Sequence, residues 1–476
     1  MKTKGLLVVS ACFAACGPSP VSPDRGPVSG GYAVTVTHEA LEGLEAPYSA
    51  KVGGIAALDV ERLDGRTFKF VVQGSPTAGE AKVVVSGRGV AREAGAFVYE
   101  APKEKVFERV VAFGASLTMG SQDVTIVRRG QQMGPMAQLS RAAGAYLPLP
   151  LIKPGIFPGL TLDDFDRSTC KPLRDDVFSI IQERAGDMLP KLKDANGNIV
   201  VARSRVDPDV EVRNVAIGGF RMRQVLEGGG DLLTMGIEHM VWNPYVSTEG
   251  LFSEPAEKMI DRVVALKPTL VVSTDLFGND YNNVSVFPDG VPDLTPLTPM
   301  DEFRPQLAEI LRRLDETGAQ IFLATGPDAT VLPQYDEKIR KLRAAGVPEP
   351  QASAWREAIR TRIAEYNAEL RAQAAAYPRV HLVDMHAAVQ EVLQNGVDVG
   401  GSHLGPEPMG GLLSLDGMHF SDTGYALVAN MFLEAINQEL GTKVPLVNLE
   451  AVHATDPYSV ESLRAVGFPC AGTVGQ

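Results

Sequence analysis

The chain has 476 residues, of which 45 are Lys or Arg and 58 are Asp or Glu, so its formal net charge is −13. This acidic balance argues against a nucleic-acid binder, which would carry a basic face. Hydrophobic residues make up 45% of the chain and charged residues 22%, which excludes general disorder. At roughly 150 residues per domain, the length predicts two or three domains, each able to bury a core.

Residues 1–16 have the pattern of an export signal. Lysines form a charged start, and the apolar stretch over 5–15 that follows is too short to span a membrane. Small residues directly before a cysteine resemble the bacterial lipoprotein signal, in which that cysteine is lipidated. Both Cys12 and Cys16 fit, and the more normal apolar stretch favours Cys16; the alternative is an ordinary cleaved signal. We expect an exported chain, lipid-anchored to a bacterial membrane (outer membrane or cell surface) or otherwise secreted.

The next two segments are predicted to be a linker and a small β module. Residues 17–30 are rich in Pro and Ser, which predicts a linker that does not pack. Over 31–104, short alternating stretches such as Thr67–Val72 and Ala96–Tyr99 are separated by Gly, Pro and Asp-Gly. This period of two predicts a small β-sandwich. Its end resembles an immunoglobulin-like module of the IPT/TIG kind, which would either bind glycan or act as a spacer.

From about residue 105 the pattern changes to strands and helices in alternation. The strand candidates are Arg109–Phe113, Val210–Ile217, Thr269–Thr274, Gln320–Thr325 and Arg379–Asp384. Apolar residues at three- and four-residue spacing predict helices over Pro255–Leu266, Asp301–Glu316, Ala354–Ala375 and Thr423–Leu440. Alternation of this kind predicts an α/β domain in which helices cover a parallel sheet. Ligands of such sheets bind beyond the carboxyl ends of the strands.

Two segments far apart in the chain carry residues suited to nucleophilic catalysis. Ser116 follows the first strand candidate between small residues, where a serine either is exposed as a nucleophile or caps a helix. Near the other end, Asp416 precedes His419 by three residues. In a loop this spacing lets the carboxylate orient the imidazole and stabilise its charged form. The alternative for this pair is a surface loop.

Two further segments follow strand candidates and carry glycine or a side-chain amide. Asn214 to Gly219 ends in two glycines, which allow a backbone N–H to approach a substrate or simply form a turn. Gly278-Asn279-Asp280 either presents the Asn279 amide to an oxyanion or is an Asn-Asp turn.

Taken in this order, the four segments resemble the blocks of the SGNH (GDSL-type) hydrolase superfamily. The resemblance implies a three-layer αβα flavodoxin-like hydrolase domain over 105–446 that cleaves esters without a cofactor or metal. It further implies Ser116 as nucleophile, His419 as base and Asp416 as the residue that orients His419. Ser116, Gly219 and Asn279 would form the oxyanion hole. Three positions depart from the family blocks: Ala115 replaces the Asp of GDSL, Phe277 a Gly, and Phe420 a frequent Pro.

The stretch between Ser116 and Gly219 is longer than this family usually shows and predicts an insertion at about 147–208. Its Pro-rich apolar part either lines an acyl pocket, forms a lid, or is a cap packed on the core. A C-terminal tail follows at 447–476. In an oxidising compartment Cys170 and Cys470 would join insertion and tail in a disulfide; the alternative is two separate buried thiols.

The resulting functional hypothesis is an exported serine esterase or lipase, with a small-molecule, lipid or glycan ester as substrate. One alternative is a carbohydrate esterase that removes acetyl groups from polysaccharide, and another is a non-catalytic surface lipoprotein that retains the fold. No nucleic-acid partner is expected, and contact with a membrane is expected only through the lipid anchor.

Overall fold

The computed structural model describes residues 19–153, 155–156, 159–174, 180–181, 183–184, 190–197, 204–207, 210–228, 258–282, 284–286 and 291–472. The predicted signal segment 1–16 lies outside the described residues. The chain divides into two compact units, one ending at Glu100 and the other beginning at Ala101.

From residue 19 onward, where the structure describes it, the first unit consists of strands and one short 3-10 turn (Glu39–Leu41). The strands are β1 (Val21–Ser22), β2 (Arg25–Pro27), β3 (Gly30–Thr37), β4 (Tyr48–Val52), β5 (Ile55–Ala56), β6 (Leu58–Arg62), β7 (Thr67–Gln73), β8 (Gly79–Gly87) and β9 (Val90–Glu100). They form one sheet in the order β1-β3-β7-β6 and another in the order β2-β9-β8-β4-β5. Alternate residues such as Phe68, Phe70 and Val72 are buried, which explains the period of two in the sequence.

The predicted linker 17–30 is wrong from Val21 to Pro27, because two short strands there join the sheets. Val21 lies opposite Val36 in an antiparallel pair, and Arg25 lies opposite Val98 in a parallel pair. Each strand occupies a sheet edge, where only part of its backbone has to hydrogen-bond, so the neighbouring prolines are tolerated. The apolar side chain of Val21 is 1% exposed and helps to close the core of this unit.

The second unit contains both strands and helices. The strands are β10 (Val110–Ala112), β11 (Leu270–Ser273), β12 (Ser285–Val286), β13 (Pro292–Asp293), β14 (Gln320–Ala324), β15 (Val380–Val383), β16 (Val397–Val399) and β17 (Ser402–Leu404). The α-helices whose bounds fall within the described residues are α1 (Ser116–Met119), α2 (Arg128–Met133), α3 (Pro135–Ala143), α4 (Met222–Glu227), α5 (Met259–Ala265), α6 (Asn279–Asn282), α7 (Met300–Asp315), α8 (Pro333–Ala344), α9 (Glu349–Ala374), α10 (Met385–Asn395), α11 (Asp422–Leu440), α12 (Leu449–His453) and α13 (Val460–Ala465).

A parallel sheet in the order β10-β11-β14-β15 organises this unit. Successive residues of one strand enter different hydrophobic clusters: Val271 packs with α5, α7 and α9, whereas Leu270 and Val272 pack with α3, α10 and α11. Both faces of the sheet are therefore covered by helices. Burial on both faces explains why these strands are continuous apolar runs.

Four of the five predicted strands of this unit are observed with slightly shorter bounds. The exception is Val210–Ile217, where the structure has only a single bridge between Asn214 and Ala112. The segment still runs beside β10, since the Val215 N–H donates to Ala112 O and the Ile217 N–H to Gly114 O. A regular strand does not form because β10 is only three residues long and the chain then turns at Gly114.

The insertion packs against the C-terminal tail. Cys170 and Cys470 form a disulfide across a sequence separation of 300 residues. Around it, Leu160 and Phe165 of the insertion share a buried cluster with Leu463 and Phe468 of the tail. The described part of the insertion therefore packs against the C-terminal tail.

Candidate active site

Ser116 lies where the first strand of the parallel sheet turns into a helix. The chain leaves β10, passes Gly114 and Ala115, and begins α1 at Ser116. Gly114 has φ of +133°, and a Cβ there would lie 2.6 Å from the Ser273 hydroxyl. Only glycine fits this combination of positive φ and close approach. The turn lets Ser116 line a cavity of about 520 Å³ at the carboxyl ends of the strands.

Asp416 and His419 are joined side chain to side chain in the loop before α11. The Nδ1 atom of His419 lies 2.7 Å from Oδ2 of Asp416, and Oδ1 of Asp416 accepts the His419 N–H at 2.8 Å. Both residues are buried, and His419 also lines the cavity. The three-residue spacing thus lets the Asp416 carboxylate bind both the backbone N–H and the imidazole ring of His419.

The environment of this pair favours opposite charges on its members. Burial alone would raise the pKa of Asp416, but the charge and hydrogen bonds of His419 outweigh it and lower that pKa to about 2. Burial alone would lower the pKa of His419, but the charge and hydrogen bond of Asp416 outweigh it and raise that pKa above 6.5. Asp416 is therefore ionised at neutral pH and stabilises a proton on His419.

The loop that carries Asp416 is anchored by residues that the sequence did not single out. The Val124 N–H donates to Oδ2 of Asp416 at 2.7 Å, and the Leu415 N–H donates to Asp123 at 3.1 Å. The Tyr458 hydroxyl, in the C-terminal tail, also donates to Asp123. Burial raises the pKa of Asp123 to about 8, against the effect of the Tyr458 hydrogen bond. Only the folded chain brings these segments together, so no local pattern signalled them.

Gly219 and Asn279 come from different segments that are bonded to each other. Gly219 has φ of +80° in a turn and lines the cavity, as does Asn279 at the start of α6. The Asn279 amide donates to Phe220 O at 3.0 Å. Asp280, the next residue, accepts the Met222 N–H at 3.1 Å. The carbonyl of Phe220, the residue after Gly219, thus sets the orientation of the Asn279 amide.

The structure therefore brings Ser116, Gly219, Asn279 and His419 to one cavity, with Asp416 directly behind His419. The described residues of the insertion do not line it. Apolar side chains of two helices form much of its wall: Met385, Val389 and Val392 of α10, and Leu427, Val428 and Met431 of α11. Polar groups suited to catalysis and an apolar wall thus share one space.

Two of the departures from the family blocks have a packing explanation. Phe277 stacks edge-on against Phe303 at 5.5 Å and Tyr366 at 5.9 Å in the buried aromatic cluster behind the site. Phe420 contacts Tyr425 edge-on at 5.6 Å and lines the cavity. Both rings fill space and leave the polar groups of the site in place.

Asp275 is a further residue of the site whose role the sequence did not reveal. It follows β11 and accepts hydrogen bonds from Ala115, Leu117 and Thr118, on both sides of Ser116. The available signal was its position directly after a buried strand that neighbours β10, since adjacent parallel strands end at the same sheet edge.

Among the residues that the structure describes, no group of three or more His, Cys, Asp or Glu side chains is placed to hold a metal ion. In the same ranges no helix is both long and apolar enough to cross a bilayer.

Comparison with known proteins gives one family match. The model of the GDSL-like lipase/acylhydrolase family matches residues 110–432. No curated protein is significantly similar to the chain. Two structures of the plexin A4 full extracellular region align with 17% of this chain at 24% and 25% identity, with TM-scores of 0.16. These alignments cover only 7% and 8% of the plexin chains. The family match spans all four blocks of the site and most of the sequence, and the chain belongs to the GDSL-like lipase/acylhydrolase family.

Proposed function

We propose that the protein is a serine esterase of the lipase type that hydrolyses carboxylic esters through an acyl-enzyme on Ser116. The observation that carries this proposal is the shared cavity of Ser116, Gly219, Asn279 and His419, with Asp416 hydrogen-bonded to His419. Helices on both faces of the parallel sheet support the three-layer αβα arrangement of an SGNH hydrolase.

The reaction follows from the positions of these groups. His419, whose Nδ1 is held by Asp416, takes the Ser116 hydroxyl proton on Nε2 as the Ser116 oxygen attacks the ester carbonyl. The N–H groups of Ser116 and Gly219 and the Asn279 amide hold the oxyanion. The protonated His419 then gives its proton to the departing alcohol. Water, deprotonated by His419, then attacks the acyl-enzyme; as the bond to Ser116 breaks, His419 returns the proton to the Ser116 oxygen and the carboxylic acid leaves.

The cavity wall favours an ester with an apolar acyl chain over an acetyl ester. The lining from α10 and α11 consists of Met, Val and Leu side chains, which gain nothing from an acetyl group too small to reach them. Each methylene buried there contributes about 0.8 kcal/mol. The described part of the insertion packs against the tail and does not line the cavity, and α10 and α11 supply apolar surface there.

A fluorophosphonate probe and a series of p-nitrophenyl esters from acetate to palmitate test this function. We expect the probe to label the wild-type protein on Ser116, and kcat/KM to rise more than about tenfold from acetate to octanoate as methylenes are buried. Acetylated xylan is the matched polysaccharide substrate. A maximum at acetate together with faster release of acetate from xylan would identify a carbohydrate esterase instead. Absence of labelling would indicate a non-catalytic surface lipoprotein.

The same proposal includes export and a lipid anchor at Cys16. It is supported by the signal-like residues 1–16 and by the Cys170–Cys470 disulfide, since disulfides persist mainly in oxidising compartments. Mass spectrometry of the mature protein from its native membrane tests the anchor. A lipidated N-terminal Cys16 is expected; an N-terminus at Cys12, or an unmodified one further along, would contradict this assignment.

A further inference from the structure

The turn that carries Ser116 closes around a single carboxylate from the neighbouring strand. Oδ1 of Asp275 accepts the Ala115 N–H at 2.9 Å, the Thr118 hydroxyl at 2.6 Å and the Thr118 N–H at 3.2 Å. Oδ2 accepts the Leu117 N–H at 2.7 Å. The Ser116 N–H is not among these donors. Asp275 thus binds the N–H groups on both sides of Ser116 and leaves that of Ser116 for a ligand in the cavity.

The fit between the carboxylate and the turn is tight. A Cβ at position 114 would lie 2.9 Å from Oδ1 of Asp275, so the glycine leaves room for the carboxylate as well as for the turn. Asp275 is 8% exposed. The first family block has an acid at position 115, where this chain has Ala115. In this chain the carboxylate that binds the Ser116 turn is therefore that of Asp275, which follows β11, the neighbour of β10.

Asp275 also acts on the base. Together with Asp416 and Asp123 it raises the pKa of His419, although burial of the ring works in the opposite direction. Two other titratable groups lie near His419. Tyr425 of α11 donates its hydroxyl to Ser121 O, and Lys338 of α8 lines the cavity and donates to Val284 O. Of the three acids, Asp275 is the one that touches the nucleophile turn through several bonds and also lines the cavity.

We propose that Asp275 is a positioning residue of this hydrolase: its carboxylate holds the turn that presents Ser116 and supplies negative charge to His419. The inference rests on the proposed ester hydrolysis. It adds a third carboxylate-or-imidazole group to Asp416 and His419, and this group acts through hydrogen bonds to the backbone of the turn rather than through contact with substrate. A misplacement of the nucleophile by about 1 Å is enough to cost on the order of 10²-fold in rate.

The test is Asp275→Asn, which keeps the size of the side chain. One oxygen becomes an amide nitrogen that cannot accept from the turn, and the negative charge disappears. We expect kcat for p-nitrophenyl butyrate to fall by about 10²-fold while KM changes by less than about threefold. We also expect the acid limb of kcat/KM against pH to move to lower pH, because His419 loses one of the charges that hold its proton.

Asp384→Asn is the matched control. Asp384 also follows a parallel strand and also caps a helix, accepting from the Ala387 N–H at 3.2 Å and the Thr325 hydroxyl at 3.0 Å, but it does not line the cavity. We expect this variant to keep both kcat and the acid limb of the wild-type protein. If Asp275→Asn does the same, or lowers kcat without moving the acid limb, the proposal is overturned.

Thr118→Val and Thr118→Ser provide a second route if Asp275→Asn does not fold. Valine removes the hydroxyl that donates to Asp275 and accepts the Thr274 N–H, whereas serine keeps both bonds. We expect a fall of about tenfold in kcat for valine and near wild-type activity for serine, with the acid limb in place because the carboxylate remains. Equal activity of the two variants would contradict the proposal. A wild-type protein that neither labels nor hydrolyses esters would instead overturn the proposed function itself.

Discussion

Replacing Ser116 by alanine is expected to lower kcat for p-nitrophenyl butyrate by about 10⁶-fold, to the edge of detection. The variant lacks the oxygen that forms the acyl-enzyme, so His419 has no nucleophile to activate. Ser116 starts α1 and is only partly buried, and the N-cap of that helix is Ala115 rather than Ser116. The thermal midpoint and near-ultraviolet circular dichroism should therefore match the wild-type protein.

Ser353→Ala is the control for this experiment. Ser353 lies on α9, and its hydroxyl donates to the exposed Glu349, far in sequence from Ser116, Gly219, Asn279 and His419. It should keep full turnover and full labelling by the fluorophosphonate probe. Turnover by Ser116→Ala within about tenfold of the wild-type value would reject Ser116 as nucleophile, and with it the proposed mechanism.

Replacing Asp416 by asparagine is expected to lower kcat by about 10⁴-fold, as loss of the orienting carboxylate does in serine hydrolases generally. Oδ2 of Asp416 faces two donors, the His419 ring and the Val124 N–H. An amide nitrogen at that place cannot accept from either, so Nδ1 of His419 gives up its proton and Nε2 carries it instead. In that tautomer Nε2 cannot take the proton of Ser116.

Asp166→Asn is the matched control, because Asp166 also accepts loop N–H groups, from Ser168 at 3.0 Å and Thr169 at 2.8 Å, but is half-buried in the insertion and does not line the cavity. The kcat values of the two variants and of the wild-type protein are compared at several pH values. If Asp416→Asn retains more than about a tenth of wild-type kcat, the carboxylate does not orient the base. An equal fall in kcat for Asp166→Asn would show that the assay responds to damage to any loop rather than to loss of the carboxylate that orients His419.

Strand and helix content of the second unit was readable from the sequence because each element is buried in the way its pattern implies. The strands β11 and β14 are flanked by helices on both faces, so nearly every residue is apolar. Val210–Ile217 has the same apolar character but forms only one bridge, since its neighbour β10 stops at Ala112. The local composition of Val210–Ile217 predicts an extended chain, but the length of β10 decides how many of its residues form strand pairs.

The leading segment of the first unit shows the opposite error. Prolines and serines at 17–30 indicated a linker, yet Val21–Ser22 and Arg25–Pro27 complete sheet edges. A short strand pairs at a sheet edge only where another strand has unpaired backbone groups. The residues that pair with Val21 and Arg25 are Val36 and Val98, which lie outside the segment itself. No pattern within the segment itself carries that information.

The sequence by itself determined the residue types of the site and their order: a serine after a strand, a glycine turn, an amide after a strand, and an acid three residues before a histidine. Those features are local, because each depends on neighbours within a few positions. Tertiary structure alone decided that Asp275 reaches across from β11 to hold the Ser116 turn, that Asp123 and Tyr458 brace the loop of Asp416, and that α10 and α11 form the apolar wall. These contacts join segments far apart in the chain, and their geometry arises only when the parallel strands align and their carboxyl ends meet.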